Sequence, residues 1–277
     1  MNNKTVYALL TKKCNLSCNY CDVRINNDFF NRELFINILD KFDGNIVLFG
    51  GEPTLYPERL IDVYLSKPSI IRKVSSISSN LIKLNDKILS VFQLIGYIST
   101  SWNTNRFNMD QYHTWLNNLM IINSEIPDVN IRILITMTKD LLKLSANELS
   151  SIISEWESIG VIKDIRFEHY IGYDADEEYF AKCDDWLSSI YKKWNSKIYM
   201  QNIDCVNSWY FDCNNVYTLY PDGALKRGCP HSIDIVVPSK CYKCAKSDIC
   251  KPCQLQRFCS YPRKFIRTVN NSLTKES

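Results

Sequence analysis

The sequence predicts an α/β fold: an open, partial (β/α)6 barrel followed by a small cysteine-rich region. Three observations carry this reading. Short β-branched runs alternate with longer segments of helical period from Val6 to about Trp194, six such units can be counted, and after about Asn195 the periodicity gives way to aromatic and cysteine-rich segments with turn signals such as Pro221-Asp222-Gly223. Alternating strand and helix patterns are what a parallel sheet with crossover helices requires. The candidate strands are 5–10, 45–49, 73–78, 97–101, 130–136 and 164–169, each followed by a stretch that reads as helix. Segment 31–42 places Leu34, Ile38, Leu39 and Phe42 on one helical face, and 146–159 does the same with Leu149, Ile152, Ile153 and Trp156. After Asn195 the pieces between cysteines are too short for a large core, so this region is expected to need metal to fold. The expected domains are 1–194 and 195–277.

Bulk composition narrows the class. A chain of 277 residues is near the upper size for one hydrophobic core, which suits one large domain with an appendage. With 45% hydrophobic and 23% charged residues it reads as globular, and no apolar run approaches the roughly 18 residues that a membrane span needs. The first ten residues offer one lysine, a short apolar run and no small-residue cleavage site, so a cytoplasmic protein with no membrane partner is expected. Net charge is +3 from 33 basic and 30 acidic residues, too balanced to point to nucleic acid. The mildly basic stretch 257–275 reads as a solvated end.

Cysteine is the informative residue. The chain has 12 of them, high for a sequence without an export signal, because intracellular thiols stay reduced rather than paired. Three lie between positions 14 and 21, Cys183 stands alone, and eight fall between 205 and 259, which predicts two separate metal-binding regions. In parallel α/β sheets ligands collect at the carboxyl ends of the strands. Cys14, Cys18 and Cys21 follow strand one, Gly50-Gly51-Glu52-Pro53 follows strand two, Ser79-Asn80 follows strand three and Ser99 ends strand four, so all should face one rim. The compact loop Cys14-x3-Cys18-x2-Cys21 supplies three thiolates, whereas a structural zinc or an ordinary four-cysteine cluster would close its shell. One metal position is thereby left open for a reacting ligand. Buried thiols, or a zinc site completed by a distant residue, are the plainer readings of the same loop.

Cys-x3-Cys-x2-Cys after the first strand together with Gly50-Gly51-Glu52-Pro53 after the second resembles the radical S-adenosylmethionine superfamily, over roughly residues 5 to 175. That resemblance implies a TIM-like partial barrel and a 4Fe–4S cluster on Cys14, Cys18 and Cys21. It implies that the open iron chelates the methionine moiety of S-adenosylmethionine, and that reductive cleavage gives a 5′-deoxyadenosyl radical which takes a hydrogen atom from the substrate. The reducing electron would come from a low-potential donor such as flavodoxin or ferredoxin. Gly50 and Gly51 would let the backbone approach the cofactor, and Glu52 would accept hydrogen bonds from its ammonium group. Tyr20 occupies the position beside the adenine, with simple packing as the alternative. Ser79 and Asn80 match a polar pair after strand three, although a glycine usual after the asparagine is replaced by Leu81; Ser99 matches a residue that reaches the ribose or carboxylate.

The tail reads Cys205, Cys213, nine residues to Gly223, Cys229, then Cys241-x2-Cys244-x5-Cys250-x2-Cys253-x5-Cys259, which is similar to a SPASM domain, a twin-cluster extension of radical enzymes that often modify peptides. It departs in two spacings: five residues rather than four separate Gly223 from Cys229, and two rather than three separate Cys250 from Cys253. The resemblance implies one auxiliary 4Fe–4S cluster on Cys205, Cys213, Cys229 and Cys253 and a second on Cys241, Cys244, Cys250 and Cys259, three clusters in all. Two zinc sites built on the close cysteine pairs are the competing reading.

Cys183, in a helical-looking segment, is a candidate hydrogen-atom donor to a substrate radical, the role of a lone cysteine in peptide epimerases of this type; a buried small hydrophobe is the alternative. Glu168 and His169, ending strand six, can bind substrate or move a proton. His113, His169 and His231 form no ligand or triad spacing. The substrate class that the tail suggests is a ribosomally made peptide to be epimerised, crosslinked or oxidised. Against it, the first cysteine loop begins at position 14, without room before it for a peptide-recognition domain, so oxidation or epimerisation of a cyclitol or aminoglycoside is the enzymatic alternative. A zinc-binding regulatory or nucleic-acid-binding protein is the alternative of another class.

Overall fold

The computed structural model describes residues 4–18, 21, 29–160, 162–169 and 216–227, together with 178, 179, 182, 183, 185, 186 and 189. The elements run β1 (Thr5–Leu9), α1 (Arg32–Lys41), β2 (Asn45–Phe49), α2 (Pro57–Ser66), α3 (Pro68–Ile71), β3 (Val74–Ser78), α4 (Asp86–Ile95), β4 (Tyr97–Trp102), α5 (Met109–Glu125), β5 (Asn130–Met137), α6 (Ala146–Glu157), β6 (Ile162–His169), β7 (Val216–Leu219) and β8 (Leu225–Arg227). All six expected strands are present. With β7 and β8 they form one sheet in the order β6-β5-β4-β3-β2-β1-β7-β8, with every pairing from β6 to β7 parallel.

The sheet is wider than six strands. β7 lies parallel to β1 with Thr5 opposite Val216 and Ala8 opposite Leu219, and β8 turns back antiparallel to it. This hairpin follows the expected boundary near 195 and adds to the sheet of the first domain. Phe42 meets Tyr217 edge to face at 5.6 Å, and Asn31 N donates to Pro221 O at 3.0 Å, so α1 clamps the hairpin.

Helix starts are set locally by side-chain caps. Asn31 Oδ1 accepts from the amides of Glu33 and Leu34, Asn85 Oδ1 accepts from Ile88 N, and Asn108/Gln111 and Ser145/Glu148 form capping boxes at α5 and α6. The buried stripe of α6 is the expected one, with Leu149, Ile153 and Trp156 inaccessible. That of α1 is rotated: Phe35, Ile36 and Leu39 are buried and Leu34 is 42% exposed. The displaced Leu34 covers the hairpin turn, where a Cβ on Gly223 would come within 2.8 Å of Leu34 Cδ1.

The two sheet faces differ, and the difference places the site. Ile46, Leu48, Ile77, Ile98, Ile131, Ile133, Ile135 and Ile165 are buried against the helices, each contributing roughly 1.5–3 kcal/mol. The alternate residues, among them Ser76, Ser78, Ser101 and Arg132 together with Val47 and Leu134, are only half-buried, so the opposite face is the more accessible and the more mixed in polarity. Among the described residues no helix is long and apolar enough to cross a membrane.

Candidate functional site

The site begins where β1 and β2 end. Their ladder continues into the loops: Leu10 N donates to Phe49 O at 2.9 Å, Gly51 N to Thr11 O at 2.7 Å and Glu52 N to Lys13 O at 2.8 Å. This approach requires glycine. Gly50 has φ +149°, and a Cβ there would lie 2.3 Å from Thr11 O; a Cβ on Gly51 would lie 2.2 Å from Lys13 O. The space that the two glycines leave is therefore filled by the cysteine-bearing loop itself, which is drawn against the Gly-Gly-Glu segment. At its far end the loop is tied back, with Thr11 bridged to Phe29 and Phe30 N donating to Leu10 O at 2.9 Å.

Glu52 joins the second loop to the third. Its carboxylate is 1% exposed; Oε1 accepts from Thr54 N at 3.0 Å and Thr54 Oγ1 at 2.6 Å, and Oε2 from Asn80 N at 2.6 Å. Burial pushes its pKa above the usual carboxylate range, and the hydrogen bonds from Thr54, Asn80 and Ser79 oppose that rise. Ser79 N donates to Ser99 O at 2.9 Å, carrying the connection to β4. Asn80 Nδ2 donates to Asn15 Oδ1 at 2.6 Å and points at Cys14 Sγ from 3.7 Å. Leu81 takes the left-handed conformation that a glycine adopts freely, at φ +55°. For a residue with a Cβ that conformation costs roughly 1–2 kcal/mol.

The result is a cleft of about 310 Å³ at the carboxyl rim, lined by Cys14, Cys18 and Cys21 on one side and by Gly50, Gly51, Glu52, Ser79, Asn80 and Ser99 on the other. Burial raises the Cys14 thiol pKa; the Leu16 amide at 3.4 Å lowers it, Glu52 and Cys18 raise it further, and Arg106 lowers it. Among the described residues no group of three or more His, Cys, Asp or Glu is gathered so as to hold a metal ion, and Cys14, Cys18 and Cys21 meet as lining residues of the cleft. Three thiol donors are a set that iron–sulfur clusters and zinc both use.

Nine residues expected at the site thus meet there. Tyr20 lies outside the described residues, as do Cys205, Cys213, Cys229, Cys241, Cys244, Cys250, Cys253 and Cys259, and so do the side chains of Glu168 and His169. Cys183 is fully buried in the hydrophobic core with Tyr179 and Trp186, and it does not line the cleft. Sequence reasoning missed Ser78, Ser101 and Arg106, which also line the cleft. The signal for Ser101 was available: it is two residues beyond Ser99 on the same strand face. Arg106, in the loop before α5, carried no pattern.

The sequence matches no protein-family model and no curated protein. Its fold, however, is shared with solved structures. SuiB of Streptococcus suis bound to S-adenosylmethionine superposes with TM-score 0.61 at 13% identity, over 89% of this chain and 65% of SuiB. SuiB bound to its precursor peptide SuiA gives TM-score 0.59 at 12% identity, over 89% of this chain and 64% of that one. Native anSMEcpe with bound AdoMet gives TM-score 0.64 at 13% identity, over 98% of both chains. The chain spans slightly under two thirds of SuiB's length.

Proposed function

We propose that this chain is a radical S-adenosylmethionine enzyme whose cluster sits on Cys14, Cys18 and Cys21. The observation that carries the reading is the convergence of those cysteines with Gly50, Gly51, Glu52, Ser79, Asn80 and Ser99 on one rim cleft. The chemistry that a 4Fe–4S cluster and S-adenosylmethionine supply when bound is reductive cleavage of the sulfonium and hydrogen-atom abstraction from a substrate. This chain's own residues hold and orient. The three thiolates would hold such a cluster and leave one of its irons free for a ligand, the glycine-zipped loops fix the direction of the cysteine segment, Ser99 and Asn80 offer polar groups, and Arg106 supplies the cation among the lining residues. Tyr20 is assigned beside the adenine, and Cys183 is kept as a candidate hydrogen-atom donor.

The tail, from about 195, is read as a SPASM-like domain with two auxiliary clusters on its eight cysteines, and the substrate as a ribosomally made peptide. The cysteine spacing and the fold shared with SuiB, solved with a precursor peptide, support that choice. Anaerobically reconstituted protein should be brown, hold about twelve irons, and release 5′-deoxyadenosine when reduced with S-adenosylmethionine. Replacing Cys14, Cys18 and Cys21 together with serine should abolish that release and remove about four irons. A colourless zinc protein, or full activity in the triple variant, would overturn the reading.

A further inference from the structure

We propose that Asn118, from the buried face of α5, is a positioning residue that sets the geometry at the Cys14 sulfur through Leu81 and Asn80. Asn118 is 6% exposed and sits in a stripe otherwise made of Trp115, Leu116, Leu119 and Ile122. An amide in an apolar stripe is unfavourable unless its hydrogen bonds are made. Here Asn118 Nδ2 donates to Leu81 O at 2.7 Å, inside the protein. A buried carbonyl needs such a donor, and this one belongs to the residue held at φ +55°. The amide of α5 therefore secures the one left-handed non-glycine turn among the described residues.

That turn fixes Asn80. Leu81 N donates to Ser79 Oγ at 3.2 Å, and Ile82 N donates to Asn80 Oδ1 at 3.0 Å. Because Oδ1 is engaged by Ile82, the Asn80 amide has one orientation, with Nδ2 directed at Asn15 Oδ1 and Cys14 Sγ. Its backbone amide is meanwhile held by Glu52 Oε2 at 2.6 Å. A continuous set of contacts thus runs from α5 to a sulfur of the cleft. Hydrogen bonds to ligating sulfurs are among the factors that set an iron–sulfur potential, so loss of the contact should make the centre harder to reduce.

The consequence for potential rests on the proposed cluster; the latch itself does not, and the two are tested apart. Native-state hydrogen exchange on the full-length protein as purified, whatever metal it holds, reads the latch. Asn118→Leu, which keeps the packing and removes the donor, should speed exchange of the Asn80 and Ile82 amides at least tenfold and leave the β5 amides unchanged. Unchanged exchange at Asn80 and Ile82 overturns the proposal. Asn118→Ala, which also removes the donor and adds no bulk, serves if Asn118→Leu does not fold, and is read by the same criterion.

In reconstituted holoprotein, the electron paramagnetic resonance signal that changes on adding S-adenosylmethionine is titrated for its midpoint potential. Asn80→Leu and Asn118→Leu should each shift it to more negative values, and the double variant should shift it no further than Asn80→Leu alone. Additive shifts, or a wild-type potential in Asn118→Leu, overturn the route through Asn80. Absence of any such signal in the wild-type protein overturns the cluster assignment and, with it, the effect on potential, while the exchange result stands for the latch.

Discussion

The β4–β6 half of the sheet and the rim above β1–β3 are held by different forces. β5 pairs with β4 from Tyr97↔Asn130 to Trp102↔Ile135, and with β6 from Ile131↔Ile162 to Met137↔His169, and behind them Trp156 meets Trp102 at 4.9 Å and Trp115 at 5.6 Å, edge to face. The pairing of β3 with β4 is confined to Ile77↔Ile98 and Ser78↔Ser99. Beyond it, single hydrogen bonds from Ser79, Asn80 and Gly51 replace the ladder. Apolar packing provides a scaffold in one half, and in the other a hydrogen-bonded frame leaves polar groups facing a cleft. Damage to the first should lower stability broadly, and damage to the second should disturb the site first.

The largest effect is expected in the scaffold. Trp156 is inaccessible, and Trp156→Ala should cost about 3–5 kcal/mol in denaturant unfolding while leaving iron per folded chain unchanged. Lost iron with unaltered stability in this variant would break the distinction. On the rim, Gly51→Ala forces a Cβ against the Lys13 carbonyl and should cost about 1–3 kcal/mol, with iron binding reduced severalfold. Gly96→Ala is the sharpening control. Gly96 ends α4 at φ +75° with no atom within 4 Å of a Cβ, so only backbone strain of about 1 kcal/mol is expected there, and iron binding should persist.

The contrast also explains what the sequence revealed. Strands β1 to β6 were legible because their apolar residues recur with period two or run together, and Cys14, Cys18, Cys21 and Glu52 because each follows a strand end. β7 was not legible: Val216–Leu219 is four residues long and joins β1 only after most of the chain has intervened. Leu34 was misplaced because its partner, the turn at Gly223, belongs to that same distant hairpin. Asn118 carried no signal at all, since an asparagine in an apolar stripe acquires meaning only when the carbonyl it faces is known.

Glu52 tests how far the rim frame depends on charge. Glu52→Gln keeps the shape but turns an amide donor toward Thr54 or Asn80, leaving a buried donor unpaired at about 1–2 kcal/mol. The pH dependence has a definite sign. Because the folded-state pKa is raised, the native protein holds this proton where the unfolded chain has lost it. The stabilisation is complete below the ordinary carboxylate pKa and declines as pH rises through the window between the unfolded and folded values. Denaturation measured from acid to neutral pH should show this slope in the wild-type protein and lose it in Glu52→Gln. An identical slope in both would show that Glu52 is not the titrating group.

The smallest effect is at Cys14, where scaffold burial and rim charge act on one atom. Burial and the nearby Glu52 carboxylate raise its thiol pKa, so the metal-free thiol is protonated at neutral pH and becomes nucleophilic only as pH rises. Alkylation of Cys14 with iodoacetamide, mapped by mass spectrometry, should accelerate with pH along a curve centred above the ordinary thiol value; it is the midpoint, rather than the absolute rate, that separates pKa from access. Because burial is the larger cause and Glu52 a lesser one, Glu52→Gln should move that midpoint down only in part. A midpoint at the ordinary value in the wild-type protein would mean that the cleft wall does not enclose this sulfur. A full return to the ordinary value in Glu52→Gln would mean instead that rim charge, and not the packed scaffold, governs how readily this thiol gives up its proton.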